Sequence, residues 1–156
     1  MNLYTFFNTF IAAVAADSTL DDWANSMFGT GIKVLADLVS DDLPAAADMP
    51  YIIFHTPEVS KHQERRANEY VMGVDLALDK DALKIRAEGS ITEPAGIELI
   101  LDFVEKIIDI IAASLPANTV FGYRLAADTL GSLPEVHGYM DLEFSEKITI
   151  GTDPMD

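Results

Sequence analysis

Three histidines, His55, His62 and His137, are the side chains best suited to acid–base or metal chemistry in this 156-residue chain. None belongs to a His-Glu-x-x-His pattern and their separations match no metal-ligand spacing, so they read as solvent-facing or strand-edge residues. Ser60, Ser90 and Ser145 lack the strand-turn-helix setting of a nucleophile elbow. Gly29 and Gly31 are not followed by the Gly-Lys-Ser/Thr of a phosphate-binding loop, and a helix terminus accounts for them. The paired acids are Asp21-Asp22, Asp41-Asp42, and Glu143 with Glu146. They show no Asp-x-Asp-x-Asp-Gly calcium pattern, and Asp21-Asp22 sit where carboxylates complement a helix dipole. The absence of cysteine removes disulfides, thiolate zinc sites and a thiol nucleophile together, and it fits a reducing compartment. The expectation is a protein that is not an enzyme, holds no metal or cofactor, and works by binding other macromolecules.

Charge points the same way. Twenty-six acidic against ten basic residues give a net charge of −16, which opposes nonspecific attraction to phosphate backbones and anionic lipid. Residues 55–90 sum to only −1, against −6 for 1–54 and −9 for 91–156. Within that middle segment Lys61, Arg65 and Arg66 form a local positive cluster beside His62 and Glu64. A solvated loop explains the cluster. Its sharper use is docking to an acidic surface, including that of a neighbouring copy of the same chain.

The elements that must position these residues follow from periodicity. The chain is of a size for one domain, 1–156. Leu3, Phe6, Phe7, Phe10, Ile11 and Val14 share one helical face and predict an opening helix. With no Lys or Arg ahead of it and Asp17, Asp21 and Asp22 behind, it reads as a helix of the mature protein rather than a leader. A short helix over Leu20 to Phe28 is expected next, capped by Ser18 or Thr19, with Trp23, Met27 and Phe28 as apolar contacts and Gly29 to Gly31 ending it. Ile32 to Val39 fits neither period. Tyr51 to Phe54 after Pro50 is continuously apolar and predicts a central strand buried on both faces. His55 to Asn68 is polar and predicts an exposed connection.

Tyr70, Met72, Val74, Leu76 and Leu78 alternate with more polar residues and predict a strand. Residues 80–93 suit a strand or a helical turn equally. Ile97, Ile100, Leu101, Val104, Ile107, Ile108, Ile111 and Leu115 trace one face of a long helix over about 95–115, with Thr92 as cap and Pro94 in the first turn. Glu98, Asp102, Glu105, Lys106 and Asp109 interrupt that stretch, so no membrane span is predicted. Phe121 to Ala127 and Val136 to Phe144 alternate on either side of a turn-rich connector and predict a C-terminal antiparallel hairpin. The expected fold is α+β: a mixed, mostly antiparallel sheet with the long helix and the N-terminal helix packed on it.

This order of elements resembles the tail-terminator, or tail-completion, minor tail proteins of long-tailed bacteriophages. The likeness is carried by the helix Leu3 to Val14, the run Pro50-Tyr51-Ile52-Ile53-Phe54, the strand Tyr70 to Leu78, the helix Ile97 to Leu115, and the closing pair of strands. The resemblance implies a ring, usually a hexamer of this chain, that caps the tail-tube protein, meets the head-tail connector and performs no chemistry. It implies assembly in the host cytoplasm, of a phage or prophage, followed by residence in the virion tail. DNA would be passing cargo, and acids such as Asp75, Asp79, Asp141 and Glu143 would line a channel that repels phosphate. A different head-tail joining or tail-tube component, and a small-molecule-binding α+β domain, are the other two readings.

Overall fold

The computed structural model describes residues 3–36, 44–62, 67–79, 83–85, 92–94, 96–117, 119–128 and 135–147. Helix α1 spans Leu3–Ala16 and buries Phe6, Phe7, Phe10 and Val14, the face that the three-and-four spacing selects. Helix α2, Ser18–Phe28, follows after a single residue. Its cap is Asp17 rather than the expected Ser18 or Thr19. Asp17 is extended, with φ −75° and ψ 110°, and its carboxylate accepts from the Leu20 N–H at 2.7 Å, so the helix starts at Ser18, two residues ahead of Leu20. Gly29 closes α2 at φ 75°, with its N–H donating to the Asn25 carbonyl. Trp23 and Phe28 pack inward as expected, whereas Met27 is 41% exposed. Asp21, in the first turn of α2, accepts from the Ile32 N–H at 3.1 Å and ties that turn to the residue just before the next strand.

The sheet has six strands. β1 (Lys33–Ala36) lies in the segment that showed no clear period; it runs parallel to β2 (Tyr51–Phe54), which is buried along its whole length. β2 is antiparallel to β4 (Ala67–Asp79), β4 to β8 (Glu135–Lys147), and β8 to β7 (Thr119–Asp128). The spatial order is β1-β2-β4-β8-β7, with β3 (Glu58–His62) also on β4. The stretch 55–68 is therefore not a plain connection. A five-residue polar strand paired on the rim of β4 needs no apolar face, which is why composition hides it. β5 (Leu83–Ile85) pairs with β6 (Thr92–Pro94) in a separate two-stranded ribbon. Thr92 and Pro94 thus belong to a strand and not to a helix start, since Pro94 suits a sheet edge and holds Glu93 extended.

Helix α3, Gly96–Ser114, begins two residues beyond Pro94. Gly96 sits against Val136 so closely that a Cβ there would overlap the Val136 side chain. From that contact α3 crosses the sheet with Ile100, Phe103, Val104, Ile107 and Ile111 buried. Beneath it lie Met72, Val74, Leu76 and Leu78 of β4 and Val136, Met140, Leu142 and Phe144 of β8. Phe144 is the hub where α1 meets the sheet, with ring centroids of Phe6, Phe7, Phe10 and Phe121 at 5.5, 5.7, 5.3 and 5.2 Å. Trp23 stacks on Phe103 at 5.4 Å and brings α2 onto the same layer. The fold is α+β, with its three α-helices packed on one side of a mixed, mostly antiparallel sheet and a one-turn 3-10 helix, Ala46–Asp48, at the β1–β2 margin of the other. None of those helices is long and apolar enough to cross a membrane.

Candidate functional site

Alternation along β4 and β8 sends even-numbered residues under the helices and odd-numbered residues to the opposite face. The register aligns those odd residues: Val71 with Glu143, Gly73 with Asp141, Asp75 with Tyr139, Ala77 with His137, Asp79 with Glu135. β7 adds Gly122 beside Glu143, Arg124 beside Asp141 and Ala126 beside Tyr139. The four acids singled out by sequence, Asp75, Asp79, Asp141 and Glu143, therefore share one sheet face, and no described α-helix covers it. At its β2 end the face carries a small second core of Met49, Tyr51, Ile53 and Ala77, with Leu35 at its margin.

Most of these carboxylates are held. Asp75 pairs with His55 Nε2 at 2.8 Å, Asp141 accepts from the Tyr139 hydroxyl at 2.8 Å, and Glu143 pairs with Arg124 at 2.9 Å. Glu135 pairs with His137 at 2.9 Å. Tyr139 lies flat over Gly73, where a Cβ would come within 2.9 Å of its hydroxyl, so a side chain at 73 would push the ring off the sheet. The acids press on the phenols. The hydrogen bond to Asp141 raises the pKa of Tyr139, reinforced by desolvation and by the charges of Asp141, Asp75 and Glu58. Tyr51 is raised first by burial and then by the charges of Asp75 and Glu135. At the β1 margin of this face, Lys33 and Asp48 join at 2.8 Å, and that contact with the Ala45 N–H lowers the Asp48 pKa.

Neither family models nor curated proteins match the sequence.

The surface itself is thus the guide to function. The basic cluster does not come together as a described site: Lys61 lies on β3 opposite Asn68, and Arg65 and Arg66 lie outside the described residues. The acidic group does come together. Sequence reading missed its companions His55, Tyr51, Arg124, Glu135, His137 and Tyr139. Two of their contacts had a signal, because Glu135–His137 and Tyr139–Asp141 are two residues apart on one strand and must share a face. Two shallow recesses of about 440 and 350 Å³ follow the same face, one beside Val71, Val120 and Glu143, the other beside Tyr51, Asp75 and Tyr139.

A further recess, about 550 Å³, lies on the helix side between α1, α2 and α3. Part of its polar lining is employed within the fold: Asp17 caps α2, Lys106 pairs with Asp102 at 3.3 Å, and the Ser114 hydroxyl donates to the Ile110 carbonyl, while Thr19 and Asp109 also line it. Among the described residues no polar side chain is fully buried and no trio of His, Asp or Glu is arranged to hold a metal ion. The His55–Asp75 pair has the form of a base with an orienting carboxylate. Among the described residues its ring makes no further hydrogen bond to a nucleophile.

Proposed function

We propose that this chain is a structural subunit of a phage-type tail, a ring-forming terminator that caps the tail tube and joins it to the head connector. The observation that carries the reading is the face shared by Asp75, Asp79, Asp141 and Glu143 opposite the three α-helices, with Glu135 and Glu58 beside them, Arg124 as the one arginine the register seats there and Lys33 at its margin. In a ring with that face inward, helices form the outer wall and carboxylates line the bore. A duplex carrying a negative charge about every 1.7 Å would then slide past without adhering. The paired state of three of the acids suits this role: His55, Tyr139 and Arg124 hold them in place while the net potential stays negative. Partners would be further copies of the chain, six by the resemblance, with the tube protein below and the connector above. The protein would assemble in the host cytoplasm and end in the virion tail.

Small-molecule binding has weaker support, because three of the polar groups lining the recess on the helix side, Asp17, Lys106 and Ser114, cap or pair within the fold. Native mass spectrometry with negative-stain imaging tests the ring, on the chain alone and mixed with tail tubes. A closed species of fixed copy number with a central opening is expected. A chain that stays monomeric in both settings refutes the reading.

A further inference from the structure

On one side the six-stranded sheet ends at β7, ten residues long; on the other its rim is made by β1 beyond β2 and by β3 beside β4. Among the described residues no strand pairs with the outer side of β7 or β1. Monomeric proteins blunt such edges with lysine, proline or a bulge. β7 reads Thr-Val-Phe-Gly-Tyr-Arg-Leu-Ala-Ala-Asp, with no proline or lysine, and Arg124 turns back onto Glu143 of its own sheet. Its apolar side chains are open on both faces: Val120 is 58% exposed on the acidic side and Tyr123 46% on the helix side.

Strand directions decide what fits. β2 and β8 both run against β4; β1 runs with β2, and β7 runs against β8. β7 and β1 are therefore antiparallel within one subunit. A second copy brought alongside by rotation about an axis along the strands presents its β1 to β7 in antiparallel sense, the stronger ladder geometry. Rows of the register then match without a shift. Leu35, Ile53, Asp75, Tyr139 and Ala126 form one row across the sheet, and Val34, Ile52, Leu76, Gly138 and Ala127 the next. In such a ring Leu35 of one copy meets Ala126 of its neighbour, Val34 meets Ala127, and Ala36 meets Leu125. Each pair shares a face. Lys33, which holds Asp48 of its own subunit, comes level with position 128 at the end of the ladder.

We infer that successive copies of this chain join edge to edge, β1 of one adding to β7 of the next, so that the sheets run on as one wall with every acidic face on the same side. The contact is heterologous and closes by rotation. It deepens the ring reading and rests on it for closure. The pairing takes only the level rows or, where the strands tilt relative to the ring axis, the two-residue shift that sets Lys33 opposite Ala126, since a shift of one would turn the faces over.

Because the chain contains no cysteine, two introduced thiols report only on each other. Leu35→Cys/Ala126→Cys tests the level register, and Lys33→Cys/Ala126→Cys tests the shifted one while leaving the Leu35 side chain intact. Mild oxidation of whichever register is right should give a covalent ladder rising to the full ring on non-reducing gels. Each single variant should stop at the dimer. Circular dichroism establishes folding, and native mass spectrometry is run on the same samples. Rings that persist without ladders in either double variant overturn the edge pairing and leave the ring reading standing. Folded double variants and parent that are all monomeric, alone and on tail tubes, overturn both.

Discussion

At the residue scale, Tyr139 shows how the acidic face acts on its own members. Its hydroxyl donates to Asp141, and ionisation would set a phenolate against a carboxylate, so its pKa is raised. Below the ordinary phenol value both folded and unfolded chains keep the proton and this contribution to stability is constant. Above it the unfolded chain loses the proton first, and stability falls as pH climbs through the raised folded value. Asp141→Asn should bring Tyr139 back toward the ordinary value, read as an earlier tyrosinate absorbance step that is absent in Tyr139→Phe. An unmoved step would mean that the hydrogen bond is not the cause. Asp17 offers a second check. Its carboxylate caps α2, and Asp17→Ala should cost about 1 kcal/mol in denaturant unfolding, while Ser18→Ala, inside the first turn, should cost less. Equal losses would return the cap to Ser18. Of the site's contacts, those within β8 were legible because alternation alone puts Glu135, His137, Tyr139 and Asp141 on one face. Arg124–Glu143 and His55–Asp75 were not legible, since each joins separate strands whose relative register no local pattern specifies.

At the element scale, the strongest periodicities gave the right elements: α1, α3, β2, β4 and the β7–β8 pair are where burial demands a face. What failed to show were β1, β3 and β6, three- to five-residue strands defined by neighbours rather than by their own side chains. Pro94 misled because a proline before an apolar helical run suits a helix's first turn and a strand's last residue equally well. The real start of α3 is set by packing at Gly96, where only hydrogen fits against Val136. Gly96→Ala would gain helix propensity in solvent, but here it must push α3 away from β8. We expect a net loss of about 1–3 kcal/mol, as for overpacked cores. A shortened Val136→Ala background should relieve much of it, and additive losses in the double-mutant cycle would place the strain elsewhere.

At the scale of the whole molecule, −16 charges on 156 residues repel one another, and screening should relieve that repulsion. The unfolding midpoint should therefore rise with added sodium chloride, by roughly 2–4 °C for each kcal/mol gained in a chain of this size. A falling midpoint would show that the exposed pairs such as Arg124–Glu143 outweigh the repulsion. Association sharpens the contrast, because a ring that gathers acidic faces around one bore concentrates the charge that each subunit carries alone. If backbone ladders and apolar edges join the copies, salt should strengthen the ring. If opposite charges at the joints dominated, salt should weaken it. Neutralising the acidic face by Asp75→Asn, Asp79→Asn, Asp141→Asn and Glu143→Gln brings the net charge to −12, one unit for each of the four changes. That variant should assemble at lower salt than the parent and lose most of the salt dependence. Assembly that keeps the parent's dependence would locate the governing repulsion outside this face and remove the acidic bore from the account of what the ring does.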